Sequence, residues 1–95
     1  MTLRYSDETK DRLRRWRESD PTLYQAAERE LNAISANPTQ HGTDGTPFVP
    51  RLVTFSVNGR DEEYVITWEC SPDDIAFIGN VSSVTEMMQR SRLSR

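Results

Sequence analysis

The sequence predicts one α+β domain in which an N-terminal helical hairpin packs on an antiparallel β-meander, in the order β-α-α-β-β-β-α. Three observations carry this. Two segments with helical apolar spacing meet at Asp20-Pro21, two runs between Leu52 and Glu69 alternate apolar and polar residues with period two, and Asn58-Gly59 stands between those runs. A chain of 95 residues fits a single domain over 1–95. It buries only about two thirds of its unfolded surface, so it builds one modest core.

Taken in order, Thr2 to Tyr5 alternates in polarity and reads as a short first strand. Ser6 or Asp7 then offers a side-chain oxygen to the unpaired N–H groups of a helix start, and Asp7 and Glu8 suit the positive end of its dipole. The first helix runs from about Asp7 to Glu18, with Leu13 and Trp16 facing inward. Asp20-Pro21 repeats the start signal, because proline has no N–H to leave unpaired in the first turn. Leu23, Ala27, Leu31 and Ile34, with Tyr24 beside them, form one apolar stripe along the second helix, and Asn37-Pro38 ends it.

From Pro38 to Pro47 the chain is rich in Gly, Thr, Asn and Pro and has no periodicity, so it reads as a surface loop. Val53, Phe55 and Val57 then form one face of a strand, and Tyr64, Ile66 and Trp68 one face of the next. Both a two-residue Asn58-Gly59 loop and a longer loop from Asn58 to Asp61 fit. The longer is preferred, because it sets Phe55 against Tyr64, Val53 against Ile66 and Arg51 against Trp68. The opposite, open face would carry Leu52, Thr54, Ser56, Glu63, Val65, Thr67 and Glu69, which include no cation. Ser71-Pro72-Asp73-Asp74 is a turn, and Ile75 to Gly79 a third meander strand. Ser83-Val84-Thr85-Glu86 has capping-box spacing and predicts a short C-terminal helix bearing Met87 and Met88, frayed from about residue 90.

Composition narrows the function. The apolar share of 35% and charged share of 28% suit a globular domain with a solvated exterior. No apolar run approaches the roughly 18 residues that span a bilayer, and MTLRYSDETK lacks the apolar stretch of a secretory signal, so no membrane role is expected. Cys70 is the only cysteine, which excludes an intrachain disulfide and fits the reducing cytoplasm; at a strand end it reads as a buried or inert thiol. Glu63 and Glu69 share a strand face but lie roughly 20 Å apart, too far for a paired acid and base. No metal, nucleotide or cofactor motif is visible. The net charge of -3 weakens the case for a general nucleic-acid binder. Arg12, Arg14, Arg15 and Arg17 nevertheless cluster on the first helix, where they form either a solvated face or a contact for RNA or an acidic partner.

Three stretches together, the first strand with SDETKDRLRRW, the helical hairpin ending in ANP, and RLVTFSVNGRDEEYVITWECSPDDIAFIGNV, resemble the RelE/ParE superfamily over nearly the whole chain. These are the toxins of bacterial type II toxin-antitoxin modules, which include plasmid stabilization systems. Members carry a "Tyr-Arg-apolar-x-Tyr"-like strand, a short turn and a strand ending in glycine; here these read Tyr64-Val65-Ile66-Thr67-Trp68 and Ile75-Ala76-Phe77-Ile78-Gly79. The resemblance implies a toxin held inactive by a cognate antitoxin. RelE-like members are mRNA interferases that cut mRNA on the ribosome, whereas ParE-like members share the fold and target DNA gyrase.

Two positions separate this chain from the nuclease pattern: Val65 stands where an arginine follows the tyrosine, and no Tyr or His follows Gly79. A toxin without the usual nuclease residues is therefore the first expectation. If the chain is an active endonuclease, Arg51, Arg60, His41 and Asn80 are the candidate catalytic residues. Arg51 begins the second strand, where related nucleases place basic residues. Asn80 follows the last strand, where members carry site residues. His41 has a side chain that titrates near neutrality, and Arg60 alternatively forms a surface pair with Asp61 or Glu62. A third expectation is a non-toxic interaction module whose exposed sheet edge accepts a partner strand.

Overall fold

The computed structural model describes residues 2–38, 42, 51–71 and 75–93, the last four by backbone alone. The elements are β1 (Thr2–Tyr5), α1 (Asp7–Ser19), α2 (Pro21–Ala36), β2 (Arg51–Ser56), β3 (Glu63–Ser71), β4 (Ile75–Ser83) and α3 (Val84–Leu93), in the predicted order. The strand order across the sheet is β1-β4-β3-β2. The last three strands form the antiparallel meander, and β1 adds to it in parallel, with Leu3 against Ala76 and Tyr5 against Ile78.

The helical hairpin is set by two caps. Ser6 accepts a hydrogen bond from the Thr9 N–H at 3.1 Å, and its Oγ lies 3.1 Å from the Gly79 carbonyl, which ties the start of α1 to β4. Asp20 serves both helices: its N–H donates to the Trp16 carbonyl at 2.7 Å, and its carboxylate accepts from the Leu23 N–H at 3.4 Å. With Pro21 at the first turn of α2, the chain reverses within one residue.

The β2–β3 register is the one that the longer loop requires, with Phe55 opposite Tyr64, Val53 opposite Ile66 and Arg51 opposite Trp68. Leu23, Ala27, Leu31 and Ile34 of α2 pack on the face made by Phe55, Tyr64, Ile66, Trp68, Ala76, Ile78 and Val81. Tyr64 stacks on Phe55 with centroids 5.7 Å apart and meets Trp16 edge-on at 5.9 Å. Trp68 is fully buried, and its Nε1–H donates to the Pro38 carbonyl at 3.0 Å. An indole N–H needs such an acceptor once it leaves water.

Four expectations are corrected. The third meander strand passes through Gly79 and ends at Ser83, because Trp68 pairs with Ile78 and Thr67 with Asn80, leaving Gly79 as an unpaired bulge residue. The bulge shifts the alternation by one, so Ile78 and Val81 both point into the core although they lie three apart. Val65, expected on an open face, is fully buried, as is Ser82 opposite it; α3 packs on β3 and β4. That face also carries a cation: Arg4, exposed on β1 and paired with the half-exposed Phe77. Cys70 is exposed, with its Sγ 3.6 Å from the Pro38 carbonyl.

α3 starts as its capping-box spacing predicts, with the Glu86 N–H donating to Ser83 Oγ at 3.0 Å, and it continues past residue 90 to Leu93. Among the described residues no helix is long and apolar enough to cross a membrane. The turn at 72–74 and the loop residues 39–41 and 43–50 lie outside the described residues.

Two glycines with positive φ give a paired test. At Gly59 (φ 84) an added Cβ meets no atom of the described residues within 4 Å, so Gly59→Ala should cost only the left-handed backbone strain, about 1–2 kcal/mol. At Gly42 (φ 72) the same atom would lie 2.3 Å from the Leu52 carbonyl oxygen and 2.8 Å from the Trp68 ring. Urea unfolding should therefore show a clearly larger loss for Gly42→Ala than for Gly59→Ala.

Candidate functional site

The basic helix α1 does not present its arginines as one patch. Residues two apart on a helix point to nearly opposite sides, whereas residues three or four apart share a face. Arg12 and Arg15 accordingly line a cleft with Trp16, Ser19 and Glu86, while Arg14 and Arg17 line another groove with Lys10.

On the first side, Arg12 is a structural residue. Its guanidinium pairs with the Glu86 carboxylate through both terminal nitrogens, Nη2 to Oε1 at 2.7 Å, and Glu8 lies 3.9 Å away on the same helix. This fork ties α1 to α3, and the hydrogen bond to Glu86 raises the guanidinium pKa further despite the opposing effect of burial. Arg15 pairs with Asp11 through Nε at 3.3 Å, and Arg14 pairs with the same carboxylate.

On the second side lies a groove of about 430 Å³ between α1, α2 and β1. Leu3 and Tyr5 of β1 line it, with Lys10, Leu13, Arg14 and Arg17 along one wall and Tyr24, Glu28, Leu31 and Asn32 along the other. Leu3, Tyr5 and Leu13 belong to the core's margin and Leu31 to the core itself, and the charged side chains stand at the rim in solvent. Burial raises the Tyr5 phenol pKa, with a smaller contribution from Tyr24. Among the described residues neither Lys10 nor Arg17 has an ion-pair partner, whereas Arg14 is drawn to Asp11. The groove was not foreseen as a site. Its signal is the spacing of Lys10, Arg14 and Arg17 at i, i+4 and i+7, visible in the sequence but masked by counting all the arginines of α1 together.

The candidate catalytic residues are not brought together. Arg51 opens β2 opposite Trp68, on the core side of the sheet, whereas Asn80 pairs with Thr67 on the opposite side, where its Nδ2 donates to Ser82 Oγ at 3.1 Å. Arg60 sits beyond the far end of β2, about 17 Å or more from Arg51 at the usual strand rise. His41 lies outside the described residues. Nor does Arg60 pair with Asp61 or Glu62: its two terminal nitrogens each donate to Asp20 at 2.7 Å, and one reaches Tyr64 Oη at 3.4 Å. A guanidinium held in that fork fastens the β2–β3 loop to the junction of α1 and α2 instead of facing a substrate. Among the described residues no cluster of His, Cys, Asp and Glu is placed to hold a metal ion.

Compared with protein-family models, curated proteins and solved structures, the chain finds no match.

The Arg60 fork, and after it the Leu23 N–H, hold the Asp20 carboxyl below its ordinary value of 3.8. A lowered folded pKa adds stability above the unfolded pKa and loses it as pH falls through the folded one. Acid titration of unfolding free energy should thus fall below about pH 4 in the native chain. In Arg60→Ala that part of the acid-dependent loss should shrink, and unfolding at pH 7 should occur at lower urea. An unchanged acid limb would show that the fork does not couple to folding.

Proposed function

We propose that this chain is the toxin half of a bacterial type II toxin-antitoxin module of RelE/ParE build, working in the cytoplasm through contact with a protein or ribosomal target and restrained by an antitoxin. The support for the kinship is the resemblance in sequence layout, together with the element order β-α-α-β-β-β-α and a helical hairpin covering one face of a meander sheet. The observation that favours a non-nuclease mode is the dispersal of the candidate residues: Arg51 and Asn80 lie on opposite sheet faces, and Arg60 is engaged by Asp20. Phosphodiester cleavage requires donors and cations converging where charge develops on the phosphate oxygens. Thr54, Ser56, Glu63, Thr67 and Glu69 give the outer face mainly hydroxyl and carboxylate groups there, and Arg4 stands on the strand at its far edge.

A second reading, the non-toxic interaction module, has one observation in its favour. Among the described residues both outer strands, β1 and β2, have a neighbour on one side only within the sheet, so each offers backbone groups to an added strand.

Controlled induction in a bacterial host separates these readings. A toxin should arrest growth, and the arrest should be relieved by co-expressing its antitoxin; normal growth at high expression would remove the toxin reading and leave the interaction module. If growth stops, primer extension on cellular mRNA should show no new cuts. Cuts within codons that disappear in the Arg51→Ala, Arg60→Ala double variant would instead establish the nuclease.

A further inference from the structure

We propose that the groove between α1, α2 and β1 is a small-molecule site for a linear organic acid, a ligand with an unbranched hydrocarbon body and a carboxylate at one end. The assignment does not rest on the toxin reading. A volume of about 430 Å³ lies within the usual range of small-molecule sites. The two antiparallel helices make parallel walls, so the space is elongated, from Arg17 and Tyr24 at one end to Lys10 and Leu31 at the other.

The floor specifies the body of the ligand. Leu3 and Tyr5 of β1, Leu13 of α1 and Tyr24 of α2 are half-buried there, and Leu31 is buried. Three separate elements thus contribute apolar surface that is still partly open to water. A hydrocarbon chain laid along it removes that surface and its own from solvent.

Charge specifies the head. The chain carries a net charge of -3, yet the rim of this groove holds three cations, Lys10, Arg14 and Arg17, against one carboxylate, Glu28. A positive potential concentrated over an apolar floor selects an anionic amphiphile over a neutral or cationic one of the same length. Arg14 and Arg17 stand three residues apart, so they are neighbours on the helix surface and both guanidinium groups can meet one carboxylate. The head therefore belongs at the Tyr24 end, with the body running past Leu13 toward Leu31. Arg17 has no ion-pair partner among the described residues. Arg14 shares Asp11 with Arg15, so turning to the ligand leaves Asp11 paired.

Two other anionic surfaces suit the cations but not the floor. A nucleic-acid backbone is charged at every step and would leave the apolar residues unfilled. An anionic membrane is reached by apolar side chains that protrude, whereas these are recessed between two helices.

Isothermal titration of the purified full-length chain with dodecanoate, below its micelle concentration, tests the site. Binding should saturate at one equivalent, and octanoate should bind at least about tenfold more weakly because it buries fewer methylenes. Dodecanol and dodecyltrimethylammonium, with the same body and another head, should also lose about tenfold or more. Arg14→Gln, Arg17→Gln should weaken dodecanoate binding by a similar factor. Arg4→Gln, Arg29→Gln, which removes the same charge at exposed positions outside the groove, should leave it unchanged. On the native chain, dodecanoate should shift the methyl resonances of Leu3, Leu13 and Leu31, a readout that needs no variant to fold.

No saturable binding, equal binding of the cationic amphiphile, or equal losses in the two double variants would overturn the proposal. So would shifts centred on the exposed Phe77 or Met88, which would mark adsorption to any apolar surface. Displacement of dodecanoate by polyuridylate would assign the cations to RNA, and capture by phosphatidylglycerol vesicles without binding of free dodecanoate would assign them to a membrane; either result overturns the site. Growth arrest is not among these readouts, so the toxin reading and this site stand or fall separately.

Discussion

The structure depends above all on one face of β3. Tyr64, Ile66 and Trp68 point to the same side of a strand that is hydrogen-bonded on both edges, and each neighbouring element presents its apolar residues to them. β2 contributes Phe55, β4 contributes Ile78 and Val81, and α2 lays its stripe across the top. Trp68 also reaches the segment after α2, since its N–H needs the Pro38 carbonyl once the ring is buried. A one-residue slip of this strand would turn its aromatic residues to solvent and separate all of these contacts at once.

The charges are arranged around that core as fasteners. Arg60 joins the β2–β3 loop to the α1–α2 junction through Asp20, and Arg12 joins α1 to α3 through Glu86. Both are two-pronged guanidinium–carboxylate contacts, which fix orientation as well as distance. In consequence the two arginines with the best-defined contacts are those least available to a ligand, whereas Lys10 and Arg17 on α1 have no ion-pair partner among the described residues. Chemistry and architecture therefore divide the positive charge of this small domain between them.

Gly79 shows how a single residue alters what the sheet displays. By dropping out of the ladder it lets Ala76 and Ile78 on one side and Val81 on the other all reach the core, and its carbonyl lies within reach of the Ser6 hydroxyl. In sequence the same glycine reads as a strand end, because a bulge and a turn call for the same residue.

What the sequence by itself determined is the set of local patterns. The helix starts at Ser6 or Asp7 and at Asp20, the stripe from Leu23 to Ile34, the alternation in β2 and β3, the preference for the longer-loop hairpin register and the cap at Ser83 all depend on neighbours a few residues apart, and steric preference fixes such relations locally. Tertiary structure decided where β1 joins, how Gly79 is used, that Val65 is covered, and which arginines are bound. The partners concerned lie 40 residues apart for Asp20 and Arg60 and 74 apart for Arg12 and Glu86. Charge pairs at such separation leave no periodic trace, because any exposed carboxylate would satisfy an arginine equally well until the core brings one particular pair within reach.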